Sequence, residues 1–185
     1  MVMLRSTILA AVALAGCNSS DGLPSLTKER ATRPRTLQAS QYYPDSAEGE
    51  TVGSLTRKIS RGTPAFARLV RCDSRDVVFK DEERTGADRL MVPRARERLT
   101  ALARLVQREW PGVKLRVTEA WDENSEHGEG SVHYDGRALD LTTSDVDPKK
   151  LGRLAGLAVQ AGFDWVYHER THVHVSVAGY EDKLR

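Results

Sequence analysis

The chain has 185 residues, enough for one domain with an amino-terminal extension. Its 28 basic and 26 acidic side chains nearly balance, so the composition does not indicate a nucleic-acid-binding protein. Aromatic residues make up 6% of the chain, which argues against a stacking platform for single-stranded nucleic acid.

The amino terminus has the pattern of a bacterial lipoprotein signal. Arg5 precedes an apolar run over residues 8–16 that is too short to span a bilayer. The run ends in Leu14-Ala-Gly-Cys17, which resembles a lipobox. The pattern predicts a signal peptide over residues 1–16 and cleavage before Cys17, whose lipid would anchor the protein in a membrane. The alternative is an ordinary signal peptide followed by a coincidental cysteine.

Residues 17–56 are rich in Ser, Thr, Pro, Gly and charge, which is typical of a flexible tether. Asn18 after the cysteine favours the outer membrane of a bacterial envelope, with the protein facing the periplasm.

The folded domain is predicted over residues 57–180. Cys72, left without a partner once Cys17 carries lipid, is predicted to be a small core residue.

Two helices are predicted from apolar spacing and end signals. The first covers residues 93–109, with Pro93 in its first turn and Pro111-Gly112 ending it. The second begins at Pro148, is capped by Asp147 and ends at Gly162.

Five strands are predicted around these helices from alternation and β-branched residues. They cover residues 76–80, 115–120, 137–141, 164–167 and 171–177, the last two forming a hairpin. This order predicts an α+β fold in which two main helices pack on a largely antiparallel sheet.

The histidines predict a metal site. All five fall in the last third of the chain, whereas a single histidine is more often a surface residue. His133 is followed seven residues later by Asp140, and His172-Val-His174 follows downstream. In an extended strand the latter two share one face. Three protein ligands with an open fourth position are what catalytic zinc requires, and Glu169 can accept the proton of its water.

From residue 58 to about residue 177 the chain resembles the Hedgehog amino-terminal signalling domain. The resemblance rests on uninterrupted runs in the same order, and it covers about two thirds of the chain. These runs include Lys58-Ile-Ser-Arg61, Val78-Phe-Lys-Asp-Glu-Glu83, Trp110-Pro-Gly-Val-Lys-Leu-Arg-Val-Thr-Glu119, Thr142-Thr-Ser-Asp145 and Ala161-Gly-Phe-Asp-Trp-Val-Tyr167.

The resemblance implies a fold similar to that of zinc D,D-carboxypeptidases and peptidoglycan endopeptidases. Their H-x-x-G-x-A-x-D signature is present from His133 to Asp140. By position, the implied zinc ligands are His133, Asp140 and His174. Glu169 falls on the position of the base, and His127 and His172 fall on supporting or transition-state histidines.

The resemblance also implies calcium beside the zinc, because the chain has oxygen-rich acidic runs at the family's calcium positions. A solvated acidic turn is the alternative for residues 81–83. Asn124 stands where the family usually has Asp, so a second calcium ion should bind more weakly. The implied ligands are Glu82, Glu83, Asp88, Thr118, Glu119, Asp122 and Asn124.

Three functions are compatible with these features. The first hypothesis is a lipid-anchored zinc metallopeptidase that hydrolyses peptidoglycan peptides, with Glu169 as the general base and His127 or His172 stabilising the oxyanion. The second is a non-catalytic zinc and calcium binding module that acts as a cell-surface or signalling ligand. The third, a secreted eukaryotic ligand acylated at Cys17, is disfavoured by the lipobox and by the end of the chain at Arg185 without an autoprocessing domain.

Overall fold

The computed structural model describes residues 44–179. The predicted signal peptide, the proposed lipidation site Cys17 and residues 17–43 of the predicted tether lie outside this range. Within it, no helix is long and apolar enough to cross a membrane.

The centre of the fold is a five-stranded sheet. In spatial order the strands are β2 (Val77–Phe79), β4 (Leu115–Glu119), β5 (Ala138–Thr143), β7 (Val173–Ser176) and β6 (Trp165–His168). Only the pair β2–β4 is parallel, and the other three pairs are antiparallel, which confirms the largely antiparallel sheet. A separate antiparallel pair joins β1 (Val70–Arg71) to β3 (Leu90–Met91).

Two helices cover one side of the core, as the apolar spacing predicts. Helix α2 spans Pro93–Glu109 and helix α3 spans Leu151–Ala161, and Gly162 ends α3 in the left-handed conformation that glycine adopts without strain. Asp147 accepts a hydrogen bond from the Lys149 amide at the short 3-10 turn that leads into α3. The buried positions recur every three or four residues: 95, 99, 102, 103 and 106 in α2, and 151, 154, 157, 158 and 161 in α3.

A third helix lies within the segment predicted to be a tether. Helix α1 spans Pro44–Val52, and its residues Glu48 and Val52 are buried, so the end of the segment 17–56 belongs to the folded domain. Nine residues are too few to form a stable helix alone, and the composition shows no apolar stripe. The helix is held by tertiary contacts: the Arg137 guanidinium donates to the carbonyls of Val52, Gly53 and Ser54. A cation at this end also suits the helix dipole.

The register of the central strands places the predicted metal ligands. Asp140 on β5 pairs directly with His174 on β7, so both side chains point to the same face of the sheet. All six residues of β5 are buried. Beside it, the register of β4 against β5 shifts between Val117 and Glu119, and such a bulge re-aims the neighbouring side chains.

Candidate metal centre

The Asp140 carboxylate is the centre of a histidine cluster. His133 Nε2 and His174 Nδ1 lie 3.4 and 3.0 Å from its Oδ1 atom. His172 Nε2 and His127 Nε2 lie 3.4 and 3.7 Å from its Oδ2 atom. The structure therefore brings together all five residues that the sequence assigned to the zinc site and its supporting histidines.

Three of these atoms have the spacing of a zinc ligand set. His133 Nε2 is 3.4 Å from His174 Nδ1 and 3.4 Å from Asp140 Oδ1, and the third side of the triangle is 3.0 Å. Ligands about 2.0–2.1 Å from a tetrahedral zinc ion lie about 3.3 Å from one another. The residues present therefore fit zinc, with one of its four positions left for a non-protein ligand.

The contacts that His133 and His174 make outside the cluster fix which ring nitrogen of each faces Asp140. His133 is completely buried, and its Nδ1 atom lies 2.6 Å from the Ala120 carbonyl, so Nδ1–H donates and Nε2 keeps its lone pair. His174 Nε2 lies 2.8 Å from the Glu48 carboxylate, so Nε2–H donates there, and Nδ1 faces Asp140 Oδ1 at 3.0 Å, where a metal ion would replace its proton. Partners of this kind are what metal-ligating histidines require.

The charges around the cluster are strongly coupled. Burial alone would raise the pKa of Asp140, but the facing histidines, His133 first, hold its pKa well below the ordinary value. Burial would lower the pKa of His174, yet its hydrogen bonds to Asp140 and Glu48 raise that pKa to about 10. Burial is the main cause of the lowered pKa of His133.

His127 contacts both the histidine cluster and Asp122, a residue of the second acidic run. Its Nδ1 atom contacts Asp122 Oδ2 at 2.9 Å, and its ring stacks on that of His133 with 4.0 Å between centroids. Potential ligand atoms of His127, His133 and Asp140 also lie within 4.8 Å of one another. Burial opposes protonation of His127, but the carboxylates of Asp140 and Asp122 raise its pKa to about 9. This residue can therefore support the zinc ligands or replace one of them.

Glu169 lies at the rim of the cluster. Its carboxylate is 3.6 Å from His172 Nε2 and 41% exposed, and its backbone amide closes the β6–β7 turn by donating to the His172 carbonyl. Among the described residues, no ion pair joins Glu169 to His133 or His174. Glu169, His127 and His174 nevertheless line one cleft of about 340 Å³, together with Glu48 and Trp165.

The acidic runs meet beside the histidine cluster. Asp88 is 2% exposed, and burial together with the charge of Glu83 raises its pKa to about 6. Burial and the charge of Asp88 raise the pKa of Glu119 to about 8. The Asp122 charge acts in the same direction on Glu119, so three carboxylates share one low-dielectric region. Such a group can bind a cation with oxygen ligands.

Three of the other predicted calcium residues, Glu82, Thr118 and Asn124, have partners within the protein. Glu82 pairs with Lys80 at 2.6 Å and its side chain is 63% exposed. Thr118 Oγ1 donates to the Asp140 carbonyl, which joins the two regions. The Asn124 amide donates to Asp122 Oδ1 at 2.7 Å, one of four backbone amides that this carboxylate accepts.

Two side-chain contacts were not predicted from the sequence. Arg61 makes a two-point contact with Glu123 at 2.6 and 2.8 Å, and it covers the faces of Phe66 and Trp121. Glu48 contacts a zinc ligand from a segment that was assigned to the tether. Neither pairing leaves a signal in the sequence, because the partners are 62 and 126 residues apart.

Fold and site together define an α+β domain built around a cluster of histidines and Asp140 that could hold a metal ion, with an acidic cluster beside it. The family model of the Hedgehog amino-terminal signalling domain matches residues 17–176. This chain therefore belongs to the Hedgehog amino-terminal signalling domain family. The match is wider than the stretch from residue 58 that carried the resemblance, and it begins at Cys17.

Individual Hedgehog proteins match nearly the whole chain. The Indian hedgehog protein of Xenopus laevis is 47% identical over 96% of this chain, and the Sonic hedgehog protein of Danio rerio is 45% identical over 95% of it. The protein hedgehog of Drosophila pseudoobscura pseudoobscura is 45% identical over 96%. The alignments cover 44%, 43% and 38% of these relatives, so the chain spans less than half of their length.

Proposed function

We propose that this domain is a signalling ligand of the Hedgehog type, in which zinc and calcium organise a protein-binding face and do not catalyse a reaction. Membership of the signalling domain family carries the proposal. The position of Glu169 supports it, because the carboxylate that a hydrolase would use is at the exposed rim and contacts His172.

Zinc would be held by His133, Asp140 and His174, the three residues whose ligand atoms converge with the spacing of a zinc site. Calcium would be held mainly by Asp88, Glu119 and Asp122. Bringing the carboxylates of Asp88 and Glu119 together is unfavourable without a counter-charge, and a bound cation supplies that charge. Metal binding would then fix the segment 119–133 that borders the cleft.

A lipid on Cys17 would hold the domain at a membrane surface. The proposal is supported by the lipobox pattern and by the start of the family match at that residue. A location in the bacterial outer membrane, facing the periplasm, belongs to the hydrolase hypothesis described below, because the periplasm is where cell-wall peptides are found.

The second candidate is a zinc peptidase acting on cell-wall peptides, with a fold like that of the D,D-peptidases. One observation favours it: Glu169 and two histidines line the same cleft. Bound zinc supplies Lewis acidity and lowers the pKa of a coordinated water. Glu169 would accept the proton of the attacking water, and His127 or His172 would donate a hydrogen bond to the developing oxyanion.

The variant Glu169→Gln separates the two functions. Zinc-loaded wild type and variant are added to cells that carry a reporter responsive to Sonic hedgehog protein, and in parallel to purified muropeptides. The ligand proposal predicts that both proteins activate the reporter, that neither cleaves muropeptides, and that His133→Ala is inactive. A hydrolase predicts cleavage by the wild type and a loss of about 10²–10⁴-fold in the variant. A silent reporter together with cleavage would overturn the ligand proposal.

A further inference from the structure

Glu48 makes the closest contact that the structure shows between helix α1 and the metal centre. Its carboxylate Oε1 lies 2.8 Å from His174 Nε2, and the residue is only 7% exposed. The other ring nitrogen of His174 points at Asp140 and His133. The Glu48 contact therefore bears on both the ring orientation of His174 and the choice of the nitrogen that faces Asp140.

Helix α1 is attached to the strand that carries Asp140. Arg137, directly before β5, donates to three carbonyls at the carboxyl end of α1. Val52 is 1% exposed and packs in a small apolar cluster with Val132 and Ala138. Glu48 and Gly49 form part of the wall of the cleft beside the histidines. The helix thus contacts the metal centre through His174, whereas Asp122 contacts it through His127.

We propose that Glu48 is a positioning residue of the metal centre, and that docking of helix α1 and binding of zinc stabilise each other. The inference rests on the proposed zinc site. A carboxylate that accepts a hydrogen bond from a ligating histidine fixes the tautomer of that histidine and makes its metal-facing nitrogen a better ligand. Loss of such a partner weakens metal binding about 10–100-fold. By linkage, bound zinc must hold α1 in place with the same coupling free energy.

The first experiment measures zinc affinity by competition with a chromophoric chelator, using the full chain. Glu48→Gln preserves shape and removes the charge, and we expect its zinc affinity to fall about 10–100-fold. Glu50→Gln on the same helix is the matched control, because Glu50 is exposed, and its affinity should equal that of the wild type. Equal affinities for Glu48→Gln and wild type would overturn the inference.

A second measurement distinguishes positioning from general stability. Hydrogen exchange of the α1 amides is followed with and without zinc, and we expect zinc to slow exchange in wild type and much less in Glu48→Gln. Arg137→Lys, which keeps the charge and loses the forked contact with the α1 carbonyls, should also bind zinc more weakly. Exchange in α1 that does not respond to zinc would refute the coupling.

The outcomes separate this inference from the proposed function. Wild-type protein that binds no zinc would overturn the zinc site itself. Wild-type protein that binds zinc, with unchanged affinity in Glu48→Gln and Arg137→Lys, would overturn only the role of Glu48 and α1. If Glu48→Gln does not fold, Arg137→Lys and the wild-type exchange data decide the question.

Discussion

At the scale of single residues, the metal centre depends on which atom of each side chain faces inward. His133 and His174 use different ring nitrogens toward Asp140, and each is fixed by an acceptor on its other side. A histidine at the right position with the wrong tautomer would present a hydrogen where a metal needs a lone pair. The Ala120 carbonyl and the Glu48 carboxylate therefore select which ring nitrogen of each histidine faces Asp140.

The proposed ligand His133 should be indispensable for zinc binding. Zinc at 100 times its Kd should stabilise the wild type by about 2.7 kcal/mol, seen as a rise in Tm. We expect His133→Ala to lose this zinc-dependent rise, because one of three protein ligands is gone. His168→Ala is the control, since His168 is exposed on β6, and it should keep the full response. An undiminished zinc response in His133→Ala would refute the ligand assignment.

At the scale of elements, short connections hold the ligands in register. A 3-10 turn, Val132–Asp135, presents His133, and Gly136 follows it in the left-handed conformation with φ of 75°. The Gly136 amide donates to the His133 carbonyl, and strand β5 then begins two residues later. This tight turn positions His133 against Asp140 on the strand that follows.

Substitution of Gly136 should destabilise this connection strongly. A Cβ atom there would lie 2.5 Å from Leu69 Cδ2, and a non-glycine residue in this conformation costs about 1–2 kcal/mol on its own. We expect Gly136→Ala to lower the free energy of unfolding in urea by more than Gly112→Ala. Gly112 has φ of 87° and nothing within 4 Å of the added carbon, so it reports backbone strain alone. Equal losses in the two variants would show that the Leu69 contact relaxes freely.

At the scale of the whole molecule, charge is concentrated where the acidic cluster adjoins the histidine cluster. The acidic cluster raises the pKa values of Asp88 and Glu119, whereas the histidine cluster lowers that of Asp140. His127 contacts carboxylates of both clusters, Asp122 and Asp140. His127 therefore lies between a group of carboxyls on one side and the histidine cluster on the other.

This arrangement predicts that the metal-free protein loses stability as the pH rises. The folded pKa of Glu119 is about 8 against an ordinary 4.5, so the folded state binds this proton more tightly than the unfolded state. Its contribution is complete below about pH 4.5 and disappears as the pH approaches 8. The raised pKa values of His127 and His174 act with the same sign above pH 6.5.

Urea titrations in a chelator at several pH values test this dependence. Between pH 5 and 8 the wild type should lose more stability than Glu119→Gln, which has no proton to release at that position. Calcium should restore the stability of the wild type at pH 8 and act less on the variant, because the ionised carboxylate is the ligand. A parallel pH dependence of the two proteins would contradict the assignment of this titration to Glu119.

The local sequence was sufficient for most elements and for placing Asp140 and His174 on one sheet face. Helices α2 and α3 follow from apolar spacing and from the signals at their ends; α2 lies where predicted, whereas α3 begins at Leu151, after a 3-10 turn over Pro148–Lys150. Alternation along a strand predicts that Asp140 and His174 can face one ion, whereas the full ligand set with His133 came from the family resemblance. The hairpin β6–β7 also follows from alternation, and pairing of β7 with β5 brings His174 beside Asp140.

Only the tertiary structure decided what surrounds those ligands. Helix α1 has no apolar stripe of its own, and it is helical because Arg137 and the small apolar cluster hold it. Glu48 reaches His174 across 126 residues, and Glu82 pairs with Lys80, away from Asp88 and Glu119. Local sequence records the periodicity of an element and the chemistry of its side chains. It does not record which distant charge is opposite a given ring nitrogen, because that depends on how the completed elements pack.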